Sequence, residues 1–119
     1  MPTSIVLIAA DHHTHVRIVG PLDLAGVHAV ELKFAGHTAS RRKPTIVDLS
    51  EVEIVVSLAM GMLVQVARAL SGSGVRLVLL ALTPRVEGAI RAARLETLLP
   101  LAPDLNAARD AAGLPRAGP

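Results

Sequence analysis

Residues 45–70 constrain the fold of this chain more than any other stretch: Thr-Ile-Val-Asp-Leu-Ser-Glu-Val-Glu-Ile-Val-Val-Ser-Leu-Ala-Met-Gly-Met-Leu-Val-Gln-Val-Ala-Arg-Ala-Leu. Ile46, Val47 and Leu49 read as an apolar strand, Ser50 to Glu53 as a short acidic turn, and a helix opens near Ser57. Beyond Ser57 the residues that are not strongly apolar include Gly61, Gln65 and Arg68, at steps of four, four and three, which places them on one narrow helical stripe. A helix that is apolar everywhere else must be covered on most sides. The domain's own sheet is expected to supply much of that cover, with Leu63, Val66 and Leu70 in the core, and the end carrying Ser57 is a candidate for contact with another protein.

The flanking segments supply the rest of an α/β domain. Ile5 to Ala9 and Val16 to Val19 are β-branched runs joined by Asp11-His12-His13-Thr14-His15, which predicts a hairpin. His13 and His15 would share a strand face, but two alternate histidines without a third ligand read as solvated loop residues rather than a metal site. Pro21 ends the second strand, because it cannot donate to a ladder, and Asp23 is a good N-cap for a helix burying Leu24, Val27, Val30 and Phe34. Arg41-Arg42-Lys43-Pro44 reads as a solvated connection. Ser71-Gly72-Ser73-Gly74 stops the central helix, and a strand follows over Val75 to Leu80. Thr83-Pro84 opens a helix with Val86, Ala89, Ile90 and Ala93 inward, and Asp104 caps a last one. Strands alternating with helices after an initial hairpin imply a mixed sheet.

The sequence "IVDLSEVEIVVSLAMGMLVQVARAL" resembles the core of STAS domains of the anti-sigma factor antagonist family, in which a strand ending Asp-Leu-Ser leads to Asp-Ser-Ser-Gly-Leu-Gly at a helix start. On that pattern Ser57 matches the serine phosphorylated by a partner kinase, and Gly61 and Leu63 match the second glycine and a helix leucine. The chain departs from the pattern at Val56, where the family has Asp, at Leu58, where a second Ser is frequent, and at Ala59, where Gly is usual. Gly20-Pro21-Leu22-Asp23 is similar to the family's Gly-Glu-Leu-Asp loop, with Pro21 replacing Glu, and "LTPRVEGAIRAARLETLLPLAPDLNAA" is similar to its C-terminal third. The resemblance implies one STAS domain over 1–112 with a frayed tail over 113–119. It implies a mixed sheet of four to five strands with helices mainly on one side. It also implies an anti-sigma factor serine kinase as partner, phosphorylation at Ser57, and a partner-binding surface made of Asp23, Val56, Ser57, Leu58, Met60, Gly61 and Met62. The departures keep a second reading open, a STAS module that does not switch and serves a signalling assembly or a transporter complex.

Other classes of function find little support. Phe34 is the only aromatic residue, so no stacking platform for single-stranded nucleic acid exists, and a net charge of +2 is too small for a DNA footprint. There is no cysteine, hence no disulfide, thiolate nucleophile or zinc-thiolate site. No Ser-His-Asp spacing or paired carboxylates point to catalysis, since Asp48, Glu51 and Glu53 read as caps or solvated turn acids. No cofactor is implied. The apolar start lacks a basic flank and is cut short by Asp11, and Ile54 to Ala67 is too short to span a bilayer, so a cytoplasmic protein, monomeric or weakly dimeric, is expected.

Overall fold

The N-terminal hairpin forms one edge of the sheet. In the computed structural model, which describes residues 2–115, strands β1 (Ser4–Ala10) and β2 (Thr14–Val19) pair antiparallel, with a register shift between Leu7 and Ala9. Helix α1 (Leu24–His37) and a 3-10 turn (Ala39–Arg41) lead to β3 (Thr45–Glu51), which lies parallel to β2. Helix α2 (Ser57–Gly72) crosses to β4 (Leu77–Leu80), and α3 (Pro84–Ala92) to β5 (Leu101–Ala102), both parallel to their predecessors. Helix α4 (Leu105–Ala111) ends the described fold. The spatial order β1-β2-β3-β4-β5 is the sequence order, so every parallel neighbour is joined by a helical crossover.

Side-chain alternation divides the core by sheet face. Val16, Ile18, Val47, Leu49, Leu77 and Leu79 pack under α1, α2 and α3. Ile46, Val78 and Leu80 point the other way and meet Ala108 and Ala112 of the α4 region. The mixed five-stranded sheet with most helices on one face is the architecture expected, with α4 on the opposite side.

Local signals act as anticipated at several joints. Asp23 caps α1 by accepting from the Gly26 N–H at 2.8 Å, Thr83 caps α3 by accepting from Val86, and Asp104 caps α4 by accepting from Ala107. Gly74 takes a left-handed φ of 79° just after α2. Gly26 is required for a different reason: a Cβ there would lie 2.0 Å from the Pro21 carbonyl oxygen, which is itself held by the Thr3 hydroxyl at 2.6 Å.

Four expectations are corrected. Leu24 is 63% exposed, because at 100° per residue it projects to the border of the stripe made by Val27, Val30 and Phe34. Ala93 is exposed because α3 ends at Ala92 and helical periodicity no longer directs it. His13 and His15 are buried, not solvated: β2 begins at Thr14, so His15 lies within the strand, and His13 Nδ1 sits 2.9 Å from Asp11 Oδ1. Arg41 is not simply solvated: it donates to the Thr14 hydroxyl at 2.6 Å and to the Asp11 carbonyl at 3.0 Å. Gly113 and Leu114 still bond back to the last helix, through the carbonyls of Asp110 and Arg109, and the remainder of the expected tail, 116–119, lies outside the described residues.

Candidate functional site

Two loops meet at the C-terminal end of β3 and fix the start of α2. Gly20 donates to the Glu51 carbonyl at 3.1 Å, Leu22 to the Ile54 carbonyl at 2.9 Å, and Val56 to the Leu22 carbonyl at 3.0 Å, which makes a parallel bridge between Leu22 and Val55. A third segment ties in through the Thr83 hydroxyl, which donates to the Val52 carbonyl at 3.2 Å. Backbone groups make nearly all of these ties. Ser50, Glu51, Glu53 and Ile54 are left to face outward, while Val52 is buried and Val55 and Val56 pack against the core.

Ser57 is the first residue of α2 and exposed. It is not the N-cap: that position is held by Val56 in extended backbone, which offers no side-chain acceptor. The first helical bond runs from Met60 N–H to the Val56 carbonyl at 3.1 Å, so the amides of Ser57, Leu58 and Ala59 precede the helical ladder. The Ser57 hydroxyl makes no hydrogen bond among the described residues, and the positive end of the helix dipole lies beside it. Asp23 sits at the same end of the sheet, half-buried and occupied as the α1 cap.

The remaining site candidates separate by exposure. Leu58 is 48% exposed and Gly61 is open, whereas Met60 is half-buried and Met62 and Ala59 are nearly or wholly covered by the core. The expected stripe is confirmed, with Ser57, Gly61, Gln65 and Arg68 exposed and Leu63, Val66 and Leu70 buried. A groove of about 600 Å³ runs between α1 and α2, with Leu32 and Ala35 on one wall and Ser57, Leu58, Gly61 and Gln65 on the other. Leu32 is 86% exposed, and Glu31 and Arg68 give the groove one charge of each sign. Sequence reasoning passed over this wall. The signal was present in Leu32, an apolar residue out of phase with the buried stripe of α1 and next to polar Glu31 and Lys33.

Asp48 was expected to be a cap or turn acid near Ser57. It is instead a buried residue of β3, facing away from α2, where its carboxylate accepts from Arg17 Nε at 3.0 Å and from the Ser50 N–H at 2.8 Å. Burial alone would raise its pKa, but the Ser50 and Arg17 hydrogen bonds together outweigh it and hold the carboxyl below its usual value. His15 lies on the same face of the sheet. Burial lowers its pKa against the opposing pull of Asp48, and its Nε2 has no hydrogen-bond partner. No group of three or more His, Cys, Asp or Glu that could hold a metal occurs among the described residues. Nor is any described helix long and apolar enough to cross a membrane.

The family model described as "Mlab, STAS domain" matches residues 6–100. Among solved structures, the chain is similar to an anti-sigma factor antagonist from Mycobacterium paratuberculosis, at 23% identity over 93% of this chain and 94% of that one, with a TM-score of 0.81. It is similar to a putative anti-sigma factor antagonist from Thermotoga maritima, at 17% identity over 92% and 94% of the two chains, TM-score 0.82. It is also similar to the anti-sigma factor antagonist SpoIIAA in its unphosphorylated form, at 18% identity over 95% and 100%, TM-score 0.73. No curated protein matches by sequence. Identities this low speak for the fold, and the family match spans everything from the first strand to the residue before β5: this chain belongs to the STAS domain family.

Proposed function

We propose that this protein is an anti-sigma factor antagonist, a non-enzymatic cytoplasmic binding module that engages an anti-sigma factor serine kinase through the start of α2 and is controlled by phosphorylation of Ser57. The observation that carries this reading is the exposed, unbonded Ser57 hydroxyl at the first position of α2, beside Leu58 and at the lip of an apolar groove. A phosphate there would lie next to first-turn amides and the positive helix end, so the fold tolerates it. It would bring about 1.5 to 2 negative charges at neutral pH into a contact built on Leu58 and the groove wall, where desolvation opposes binding. The partner-binding set is then Ser57, Leu58 and Gly61 at the centre. Val56 and Met60 support it, Asp23 shapes it through the α1 cap, and Met62 forms the groove floor.

A second reading is favoured by Val56, Leu58 and Ala59, which stand where the family's phosphorylation motif has Asp, Ser and Gly. In that reading the same surface binds constitutively, in a signalling assembly or a transporter complex. Titration of the wild type, Ser57→Ala and Ser57→Asp against the kinase encoded nearest the gene separates the two, together with mass spectrometry after incubation with that kinase and ATP. Switching requires phosphate on Ser57, binding by the Ala variant close to wild type, and binding by the Asp variant weaker by about 1 to 3 kcal/mol. Equal affinities with no phosphate leave the constitutive module.

A further inference from the structure

The two edges of the sheet differ in a way that the Ser57 surface does not explain. β1 pairs with β2 on one side and with no strand on the other among the described residues, so one row of its N–H and C=O groups lacks a ladder partner. It runs seven residues, Ser4–Ala10, without a charge or a proline. Val6, Leu7 and Ile8 are 44%, 41% and 44% exposed, three successive large apolar side chains in water. Val6 lies opposite Arg17 and Leu7 opposite Val16, on opposite faces, so neither layer of helices covers this edge. Of the devices that keep an edge from pairing, such as lysine, proline, short length or a covering element, β1 has only a register shift between Leu7 and Ala9. β5 is the contrary case. It is two residues long, Leu101–Ala102, set between Pro100 and Pro103, which have no N–H to donate, and Ala102 packs with Ala108 and Ala112.

We propose that β1 pairs antiparallel with β1 of a second copy of this chain, giving a two-fold dimer in which the two sheets join. Pairing centred on Leu7 sets Val6 against Ile8, Ser4 against Ala10 and Thr3 against Asp11, so the apolar run covers itself and no like charges meet. Closure follows from the other edge. The short, proline-flanked β5 gives β1 no head-to-tail partner, so association stops at the isologous pair instead of growing into a filament. One seven-residue edge is a small contact beside the roughly 800 Å² per partner of a standard interface, and the irregularity at Ile8 interrupts it. The dimer is therefore weak and concentration-dependent. β3 runs parallel to β2 and antiparallel to β1, so the two copies of β3 point in opposite directions and the two Ser57 surfaces lie at opposite ends of the joined sheet. Dimerisation thus stands apart from the function proposed for Ser57.

The test is sedimentation of the full chain over a concentration series, with interference detection because there is no Trp or Tyr to absorb. A monomer–dimer equilibrium is expected with a dissociation constant between about 10 μM and 1 mM. Ile8→Lys, which puts like charges across the two-fold axis at an exposed position, should weaken it at least about tenfold. Leu32→Ser, on the far more exposed apolar residue of α1, and Ser57→Asp should leave it unchanged. Amide hydrogen exchange of the wild type needs no variant: alternate amides of Ser4–Ala10 should exchange at least about twofold more slowly at about 1 mM than at about 10 μM. A monomer throughout the series would leave the edge to a strand of some other protein and overturn the proposal. It is equally overturned by a dimer that Leu32→Ser abolishes, by one that a folded Ile8→Lys protein keeps, by growth beyond the dimer, or by β1 amides whose exchange ignores concentration.

Discussion

Leu63→Ala probes the packing of the central helix against the sheet. Leu63 is wholly buried in the larger core, with Ala59 and Ala67 one turn to either side on the same face of α2. Replacing it removes about three methyl or methylene groups from the core, worth about 2.4 kcal/mol at roughly 0.8 kcal/mol each before any cavity is counted. The void then closes only if neighbours move. Ala59 and Ala67 have no side chain to swing into it, and α2 cannot sink toward the sheet. Its start is held by the Val56 to Leu22 bond at 3.0 Å and its end by Val75 N–H to the Leu70 carbonyl at 3.1 Å. The loss should therefore fall in the upper part of the usual range of about 2 to 5 kcal/mol, near 4. With no Trp or Tyr to report by fluorescence, urea denaturation is followed by far-ultraviolet circular dichroism, with an unchanged m value expected. A loss below about 0.5 kcal/mol would mean that Leu63 is not packed between helix and sheet, and with it the exposed stripe at Gly61 and Gln65 would lose its basis.

Gly61→Ala should stabilise the protein by about 0.5 to 1 kcal/mol, since the added Cβ meets nothing within 4 Å and helical glycine is costly; an unchanged or lower melting temperature counts against it. Gly26→Ala should do the reverse and cost more than about 2 kcal/mol, because its Cβ would collide with the Pro21 carbonyl, and a melting temperature equal to wild type would refute the close approach of the two segments. Acid should destabilise the domain in two stages. His15, whose folded pKa is lowered from 6.5, loses its contribution as pH falls below that value, and Asp48, lowered from 3.8, loses its own below the carboxylate range, because in both cases the unfolded chain binds more protons. Urea midpoints should fall from pH 7.5 to 5 and again toward pH 3, with His15→Gln flattening the first step; a midpoint that rises on acidification contradicts both assignments.

Most of the fold was legible because its local signals agree with one another. The Asp23, Thr83 and Asp104 caps, Pro84 at a helix start and the alternation in β3 and β4 each act locally, so sequence alone locates them. Errors arose where a distant segment decides the outcome. Nothing near Asp11 or Thr14 in sequence foretells that Arg41 bonds the hairpin turn, and nothing near Asp48 foretells that its partner is Arg17, on the neighbouring strand. The candidate site was legible in position but not in composition: Ser57 falls at the helix start, while the wall opposite it comes from Leu32 of α1, which only the packing of α1 beside α2 brings into view.

The anchoring of the Ser57 loop has a consequence for how this surface can evolve and respond. Main-chain amides and carbonyls hold it to Leu22 and Gly20, and one hydroxyl holds it to Thr83, while Ile54, Ser57 and Leu58 extend outward from it. Backbone bonds are indifferent to side-chain identity. The outward residues can therefore change, or carry a charge, at a stability cost within about 0.5 kcal/mol, the usual span for exposed positions without structural partners. The Val56 position behaves differently, because its backbone is both the N-cap of α2 and a donor to Leu22. A residue with an oxygen there, such as Asp, would add a cap bond worth about 1 kcal/mol that the chain now lacks, without moving the helix. The departure from the family motif at Val56 thus lowers helix-start stability but leaves Ser57 at the first position of α2, with its side chain exposed.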